Sequence, residues 1–325
     1  PGMEVWTNTP KVIESRKKTL ELLLSNHKKE CLSCVRSGNC ELQQLCKELG
    51  VEDENYYSGE MTPAMIDTSA AHMVRDNSKC ILCRRCSAVC EKVQGIGVIG
   101  PNERGFKSYI GTAFNMDLAD TSCVSCGQCL VSCPFSAIVD KGQIFQTIMA
   151  IKSETPVYAI LAPAIAGQFQ DMKNTKIRGA FQALGFTDVR EVAIGADLCT
   201  VEEAKDFLEE VPEKLPFMAT SCCPSWSMMA KKLFPEQAKC ISMALTPMVL
   251  TARLIKQKEP DCKIVFVGPC AAKKLEASRK SIRSYVDFVL TFEEVAGMFD
   301  AKGVDWKDIP EGEPLFRASA DGRGF

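Results

Sequence analysis

Histidine is nearly absent from this chain, with two residues in 325, and aromatic residues make up only 7%. No apolar run reaches the eighteen or so residues of a membrane-spanning helix, and no export pattern opens the sequence. Thirty-nine Lys+Arg stand against 41 Asp+Glu, a net charge of −2, so there is no basic excess to suit a nucleic-acid partner. After Cys270 there is no cysteine at all. What remains is an ordinary soluble composition, 46% hydrophobic and 25% charged, long enough for two or three domains.

Against these absences stand eighteen cysteines. In a small secreted domain they would imply disulfides. In a larger chain without an export signal, cysteines clustered at two-residue gaps favour metal and a reducing cytoplasm. Cys80, Cys83, Cys86 and Cys90 form one C-x2-C-x2-C-x3-C run, and Cys123, Cys126, Cys129 and Cys133 repeat it with Pro134 following. This is the bacterial ferredoxin signature, in which the fourth cysteine ligates the other cluster. One [4Fe–4S] is therefore assigned to Cys80, Cys83, Cys86 and Cys133, the other to Cys123, Cys126, Cys129 and Cys90. Glu91 stands where the first copy would have proline. A zinc ribbon, needing four thiolates in two separated pairs, fits two four-cysteine runs poorly.

Ahead of these runs, Met3–Thr7 reads as a closing strand and Pro10–Ser25 as a helix with Leu20, Leu23 and Leu24 on one face. His27-x3-Cys31-x2-Cys34-x5-Cys40 follows, with Cys46 as a further thiol nearby. Residues 50–78, with Tyr56, Tyr57, Gly59 and Pro63, read as polar loop. From residue 155 the texture changes to strand–turn–helix units. Pro156–Leu161 reads as a strand before Ala162-Pro163, and Ile177–Leu184 as a helix stopped by Gly185. Val189–Ile194 reads as a strand, with Thr200 opening the next helix. Phe217–Ala219 runs into Cys222-Cys223-Pro224, whose proline starts a helix through Leu233. Ile264–Val267 runs into Gly268-Pro269-Cys270, and Tyr285–Leu290 ends at Thr291, which forms a capping-box pattern with Glu294. Such units in series imply a parallel sheet with ligands beyond the strand ends. Ala162-Pro163, Cys222-Cys223 and Cys270 all fall at such ends. The expected class is an α+β ferredoxin-like iron–sulfur region followed by an α/β domain with a parallel sheet.

Thr220-Ser221-Cys222-Cys223-Pro224-Ser225-Trp226 and Pro269-Cys270-Ala271-Ala272-Lys273-Lys274-Leu275-Glu276 resemble the first two signatures of the [FeFe]-hydrogenases. The histidine–cysteine stretch resembles a cluster site of that family and of complex I large subunits, ligated by His27, Cys31, Cys34 and Cys40. Cys46 is the alternative fourth ligand to His27, or a buried structural thiol. The strand and helix before it resemble the tail of a plant-type [2Fe–2S] domain, whose cysteines would then lie upstream of residue 1. The expected domains are 1–78, 79–150 and 151–325, the last an incomplete H-cluster domain. The family's third signature is not in this chain, and Arg317–Phe325 resembles the glycine-rich approach to it, so a fragment is expected.

By this resemblance, three accessory [4Fe–4S] clusters feed an H-cluster, a [4Fe–4S] joined to a diiron subsite carrying CO, cyanide and a bridging dithiolate. Cys223 and Cys270 would be cluster ligands and Cys222 the proton donor. Lys273 would contact a cyanide, and Glu276 would orient the site. Ala162, Pro163, Ser221 and Pro269 would line the cofactor. Glu203, Asp206 and Ser242 would carry protons, although Thr200 to Glu203 also reads as a capping box. Gly268 stands where many members have Met, and Met248 where glutamine usually follows Pro247, which puts a divergent subgroup in view. The implied reaction is reversible reduction of protons to H2, in the cytoplasm, with electrons from ferredoxin or a flavoprotein, NADH-linked subunit. A hydrogenase-like H2 sensor, a non-catalytic iron–sulfur carrier or assembly protein, and a complex I-like relay are the rivals.

Overall fold

The computed structural model describes residues 2–52, 61–279, 284–315 and 317–324. Tyr56, Tyr57, Gly59 and Phe325 lie outside them. The chain divides into two compact units, Pro1–Cys123 with Gly127–Asp140, and Lys141–Phe325 with Val124–Cys126.

In the first unit, α1 (Pro10–Ser25) begins where Thr9 accepts a hydrogen bond from the Val12 N–H and Pro10 fills a position that needs no donor. It buries Leu20 and Leu24 in a small core shared with Leu42 of α2 (Glu41–Leu49). The strand expected at Met3–Thr7 does not form. Met3, Val5 and Trp6 are exposed there, and no strand pairs with the segment among the described residues. The stretch expected to be loop holds two short strands, β1 (Ile66–Asp67) and β2 (Met73–Asp76), paired antiparallel. Next come α3 (Arg85–Ala88), the hairpin of β3 (Gly100–Asn102) and β4 (Tyr109–Gly111), α4 (Gln128–Val131), and β5 (Ile138–Asp140), which pairs with β2.

The two cysteine runs fold as copies. Leu82 (φ 61°) and Ser125 (φ 58°) are left-handed at one position, Arg84 (φ 62°) and Gly127 (φ 77°) at another, and a single helical turn follows each pair. A left-handed non-glycine residue costs about 1–2 kcal/mol; Gly127 avoids that cost and Arg84 does not. Beyond this point the copies part. Pro134 cannot extend a helix past Cys133, whereas Glu91 lets the first copy continue into a π-helical turn, Val89–Val93, that carries Cys90.

The second unit runs α5 (Ile144–Ile151), β6 (Val157–Leu161), α6 (Asn174–Leu184), β7 (Asp188–Glu191), α7 (Ala193–Glu210), α8 (Pro224–Leu233), α9 (Pro247–Lys258), β8 (Lys263–Gly268), α10 (Ala272–Ser278), β9 (Phe288–Thr291), α11 (Phe292–Lys302) and α12 (Ala320–Gly324). The sheet has the order β7-β6-β8-β9 and is wholly parallel. Every residue of β6 is buried, as expected for a strand covered on both faces, and each such aliphatic side chain contributes about 1.5–3 kcal/mol. From β6 the chain steps to β7 on one side and later to β8 on the other. The topological switch point of the sheet therefore lies between β6 and β8, where open α/β sheets bind their ligands.

Three expectations need correction here. The strand from Val189 stops at Glu191, and α7 already runs by Ala193. Thr200 is mid-helix, its hydroxyl donating back to the Ala196 carbonyl at 2.9 Å, so Thr200 to Glu203 is not a capping box. Phe217–Ala219 joins no sheet; Ala219 makes one isolated parallel bridge to Ile241. The capping box at Thr291 and Glu294 is present as expected.

Candidate metal centres and candidate active site

A cavity in the first unit is lined by Cys80, Cys83, Cys86 and Cys133, with Arg75 and Asn77 beside them. These cysteines are the first set assigned from the spacing. The Cys86 thiol is pushed up to about 12, by burial first and then by the sulfurs of Cys80, Cys133 and Cys83. Burial also raises Cys80, although the Leu82 N–H reaches its sulfur at 3.4 Å. A cationic iron core would offset the charge of such thiolates, and the donor set fits. Among the described residues no three His, Cys, Asp or Glu side chains converge on a single ion. A cubane does not require that, since its four cysteines are shared among its irons. All eighteen cysteines are free thiols.

His27 shows a second fit. Its Nδ1 lies 3.0 Å from the Lys79 carbonyl, which can only accept, so Nδ1 carries the proton and Nε2 keeps the lone pair a metal needs. Burial holds the ring below its usual pKa, hence neutral. Cys34 lies 2.8 Å from the Ser136 hydroxyl; burial raises its thiol, but this contact and backbone N–H groups bring it below the ordinary value. Cys40 caps α2. Cys46 packs partly buried against Leu20, Leu24 and Leu42, its thiol raised by burial and by Cys40 and Cys31. Of the remaining assigned set, Cys129 is buried, and Cys90, Cys123 and Cys126 are half-buried.

In the second unit, the ends of β6 and β8 meet at the switch point. The Ala162 N–H donates to the Val267 carbonyl at 2.9 Å, which sets Ala162-Pro163 beside Gly268-Pro269-Cys270. A Cβ on Gly268 would come within 2.3 Å of the Phe266 ring, so glycine here is a packing requirement. Met248, 1% exposed, is likewise part of the apolar core. Cys223 and Cys270 stand just ahead of α8 and α10, which pack against one another. The Cys223 sulfur accepts from the Trp226 N–H, and the Trp226 indole N–H donates to the Thr220 carbonyl at 3.1 Å, closing the loop.

One side chain ties the two signatures together. Lys273 Nζ donates to the Cys222 carbonyl at 2.7 Å and to Glu276 Oε2 at 2.7 Å. Glu276 is itself buried, and its other oxygen accepts from the Thr246 hydroxyl. Lys274, the residue after Lys273, is buried as well. It donates to the Lys141 carbonyl at 2.9 Å and to Glu294 at 3.0 Å. Glu294 also accepts from the backbone of Gln143 and Thr291.

Glu203 is buried and hydrogen-bonded to Ser242. Burial raises its carboxyl, the Ser242 bond opposes this, and Asp206 adds to the rise. The Ser242 N–H donates to the Ala219 carbonyl at 2.8 Å, which fixes the serine. Ser221 donates to the Ala244 carbonyl at 3.4 Å. Cys199, not singled out from the sequence, lies on α7 one turn before Glu203. Its thiol donates to the Leu245 carbonyl and is raised to about 12, by burial first and then by Glu203 and Cys222. It is thus within electrostatic reach of both. Thr246 was also missed; its place directly before Pro247 at a helix start was the available signal.

The family described as iron only hydrogenase large subunit, C-terminal domain, matches residues 155–325, more than half of the chain. The chain belongs to this family. Within this hydrogenase-family chain, the NADH-ubiquinone oxidoreductase-G iron-sulfur binding region matches residues 16–55 and a 4Fe-4S dicluster domain matches 79–137. Its relatives include the NADP-reducing hydrogenase subunit HndD of Solidesulfovibrio fructosivorans, 36% identical over 95% of this chain and 58% of that protein. Iron hydrogenase 1 of Clostridium pasteurianum is 30% identical over 93% of this chain and 56% of that one. The hydrogenase-family chain thus spans little more than half the length of these relatives. A solved variant of apo [FeFe]-hydrogenase HydA1 from Chlamydomonas reinhardtii overlays 54% of this chain and 52% of its own, at 24% identity and TM-score 0.48. The chain is a divergent, [FeFe]-hydrogenase-like member of this family, with iron–sulfur binding regions ahead of the hydrogenase domain. No helix among its described residues is long and apolar enough to cross a membrane.

Proposed function

We propose that this chain carries the electron wire and two signature motifs of the active site of an [FeFe]-hydrogenase that interconverts protons and H2. The observation that carries the reading is Lys273, held between the Cys222 carbonyl and the buried Glu276 at the sheet's switch point. An ammonium has three donors. Two are taken, and the third suits an anionic ligand such as cyanide. Cys223 and Cys270 would hold the [4Fe–4S] part of the H-cluster, with Ala162, Pro163, Ser221 and Pro269 lining the diiron part. When bound, that cofactor supplies the two-electron chemistry of H2.

The chain's own residues hold and move the proton. Cys222 is the proposed donor beside the cofactor, and Glu203 the next carrier, since a carboxyl raised by burial can hold a proton nearer neutral pH. Ser242 and Asp206 continue the route from Glu203. Electrons would cross three accessory [4Fe–4S] clusters, held by His27, Cys31, Cys34 and Cys40, by Cys80, Cys83, Cys86 and Cys133, and by Cys123, Cys126, Cys129 and Cys90. Ferredoxin or a nicotinamide-nucleotide-linked flavoprotein subunit would deliver them, the latter supported by the name of the NADP-reducing relative. Gly268 and Met248, the departures from the commoner family residues, have packing reasons of their own, so they do not favour a sensor over the enzyme.

The test is H2 evolution from reduced methyl viologen by the anaerobically matured protein. Turnover should fall roughly 10²–10⁴-fold in Cys222→Ala. Infrared bands of bound CO and cyanide without turnover in the unaltered protein would favour the sensor. No such bands would sink the roles given to Cys223 and Cys270.

A further inference from the structure

Two buried polar side chains of the first unit are used by nothing described so far. Arg75 on β2 is 4% exposed, and Asn77, which follows that strand, 2%. Both line the cavity of Cys80, Cys83, Cys86 and Cys133. Asn77 Nδ2 and Arg75 Nε are shielded from water and have no hydrogen-bond partner among the described residues. Buried N–H groups without an acceptor are rare enough to need a reason. The rest of the guanidinium is accounted for, with Nη1 donating to the Ile110 carbonyl at 2.6 Å and Nη2 3.6 Å from Asp67. Asp67 spreads its own charge over further donors, the Ser69 N–H and hydroxyl and the Leu118 N–H. Arg75 is therefore only partly neutralised. Gly111 leaves room for it, since a Cβ there would stand 2.8 Å from Nη1.

We propose that Asn77 and Arg75 set the electron affinity of the [4Fe–4S] cluster this cavity would hold, placing its reduction potential above that of the sister cluster. The inference rests on the four cysteines being ligands. Reduction adds one electron to the cluster and forms or breaks no bond. It adds one negative charge, so an N–H directed at the sulfurs and a nearby cation stabilise the reduced level more than the oxidised one. The internal repeat supplies the contrast. At the same offsets ahead of Cys123 stand Leu118, buried and apolar, and Asp120, exposed and acidic. Neither offers a side-chain N–H or a positive charge. Two copies of one motif thereby become unlike, the first holding an electron that the second passes on.

The experiment is an anaerobic titration with dithionite, read by electron paramagnetic resonance, on the full chain reconstituted with iron and sulfide. Cys133→Ala comes first. Loss of about four irons and of one cluster signal supports the ligand assignment, and unchanged iron content overturns that assignment and this inference with it. Asn77→Leu keeps the shape and removes the donor, and Arg75→Gln removes the charge. At full iron content each should lower the potential of one cluster about tenfold in its one-electron equilibrium, roughly 59 mV, and leave the others in place. Two variants keep the test alive if one fails to load. Unchanged potentials in the variants that load, with Cys133→Ala still losing its cluster, would overturn the proposal and spare the ligands.

Discussion

The Lys273–Glu276 pair is the most exposed to refutation, because its worth follows from burial. Their side chains are 14% and 2% accessible and 2.7 Å apart. Removing one member leaves the other's charge uncompensated in a poorly solvated place, a loss of about 3–5 kcal/mol. Glu276→Gln still accepts from Thr246 but abandons the ammonium. Lys273→Met keeps most of the apolar stem and abandons both the carboxylate and the Cys222 carbonyl. For a domain of this size, about 2–4 °C of melting temperature accompanies each kcal/mol, so each single variant should melt roughly 6–20 °C lower. The double variant carries neither charge, and should recover about 1–3 kcal/mol relative to the sum of the singles. Thermal unfolding by circular dichroism on all four proteins completes the cycle. Strictly additive losses, or single variants within about 0.5 kcal/mol of the parent, would refute the claim that these charges need one another.

Two further outcomes follow from the same geometry. Glu203 has its carboxyl raised above the ordinary 4.5 by burial, so the folded chain bears a cost for ionising it. That cost is absent below the ordinary value, grows as pH rises towards the raised one, and stays constant above it. Glu203→Gln should accordingly be more stable than the parent in urea near pH 7 and indistinguishable near pH 4, while weakening proton delivery; equal differences at both pH values would contradict this. Gly268→Met, which restores the commoner family residue, should cost about 1–3 kcal/mol in urea unfolding, because its Cβ meets the Phe266 ring. Phe266→Leu in the same chain should return part of the loss.

The parts legible in the sequence were those whose signal is local. Pro224 after Cys223 and the buried run before Gly268 each announce an element within a few residues, and the repeat of the two cysteine runs reappears as matching left-handed turns at Leu82 and Ser125. The errors arose where a local signal competed with a distant partner. Thr200 and Glu203 have the spacing of a cap, but α7 starts at Ala193 with no capping side chain, and packing of the helix decides its start. Nothing near Lys274 in the sequence announces its burial, because Glu294, its partner, is twenty residues away. Phe217–Ala219 has the composition of a strand, yet the neighbour that would make it one provides only the bridge at Ile241. Asn77 and Arg75 had no sequence signal, since a cavity wall is defined by what faces it.

Glu294 closes α11's capping box while also receiving Lys274 from α10 and the Gln143 N–H ahead of α5. A single carboxylate thus joins three segments that are far apart in sequence. None can detach without stripping the buried Lys274 charge of its counter-ion or leaving backbone donors unmet. The start of α5, α10 and the β9–α11 junction should consequently behave as one cooperative opening unit, with amides that exchange together and late. The lysine holding the two signature motifs together projects from α10, so the firmness of the Cys222 loop is inherited from a junction anchored at Glu294, well away from that loop in sequence.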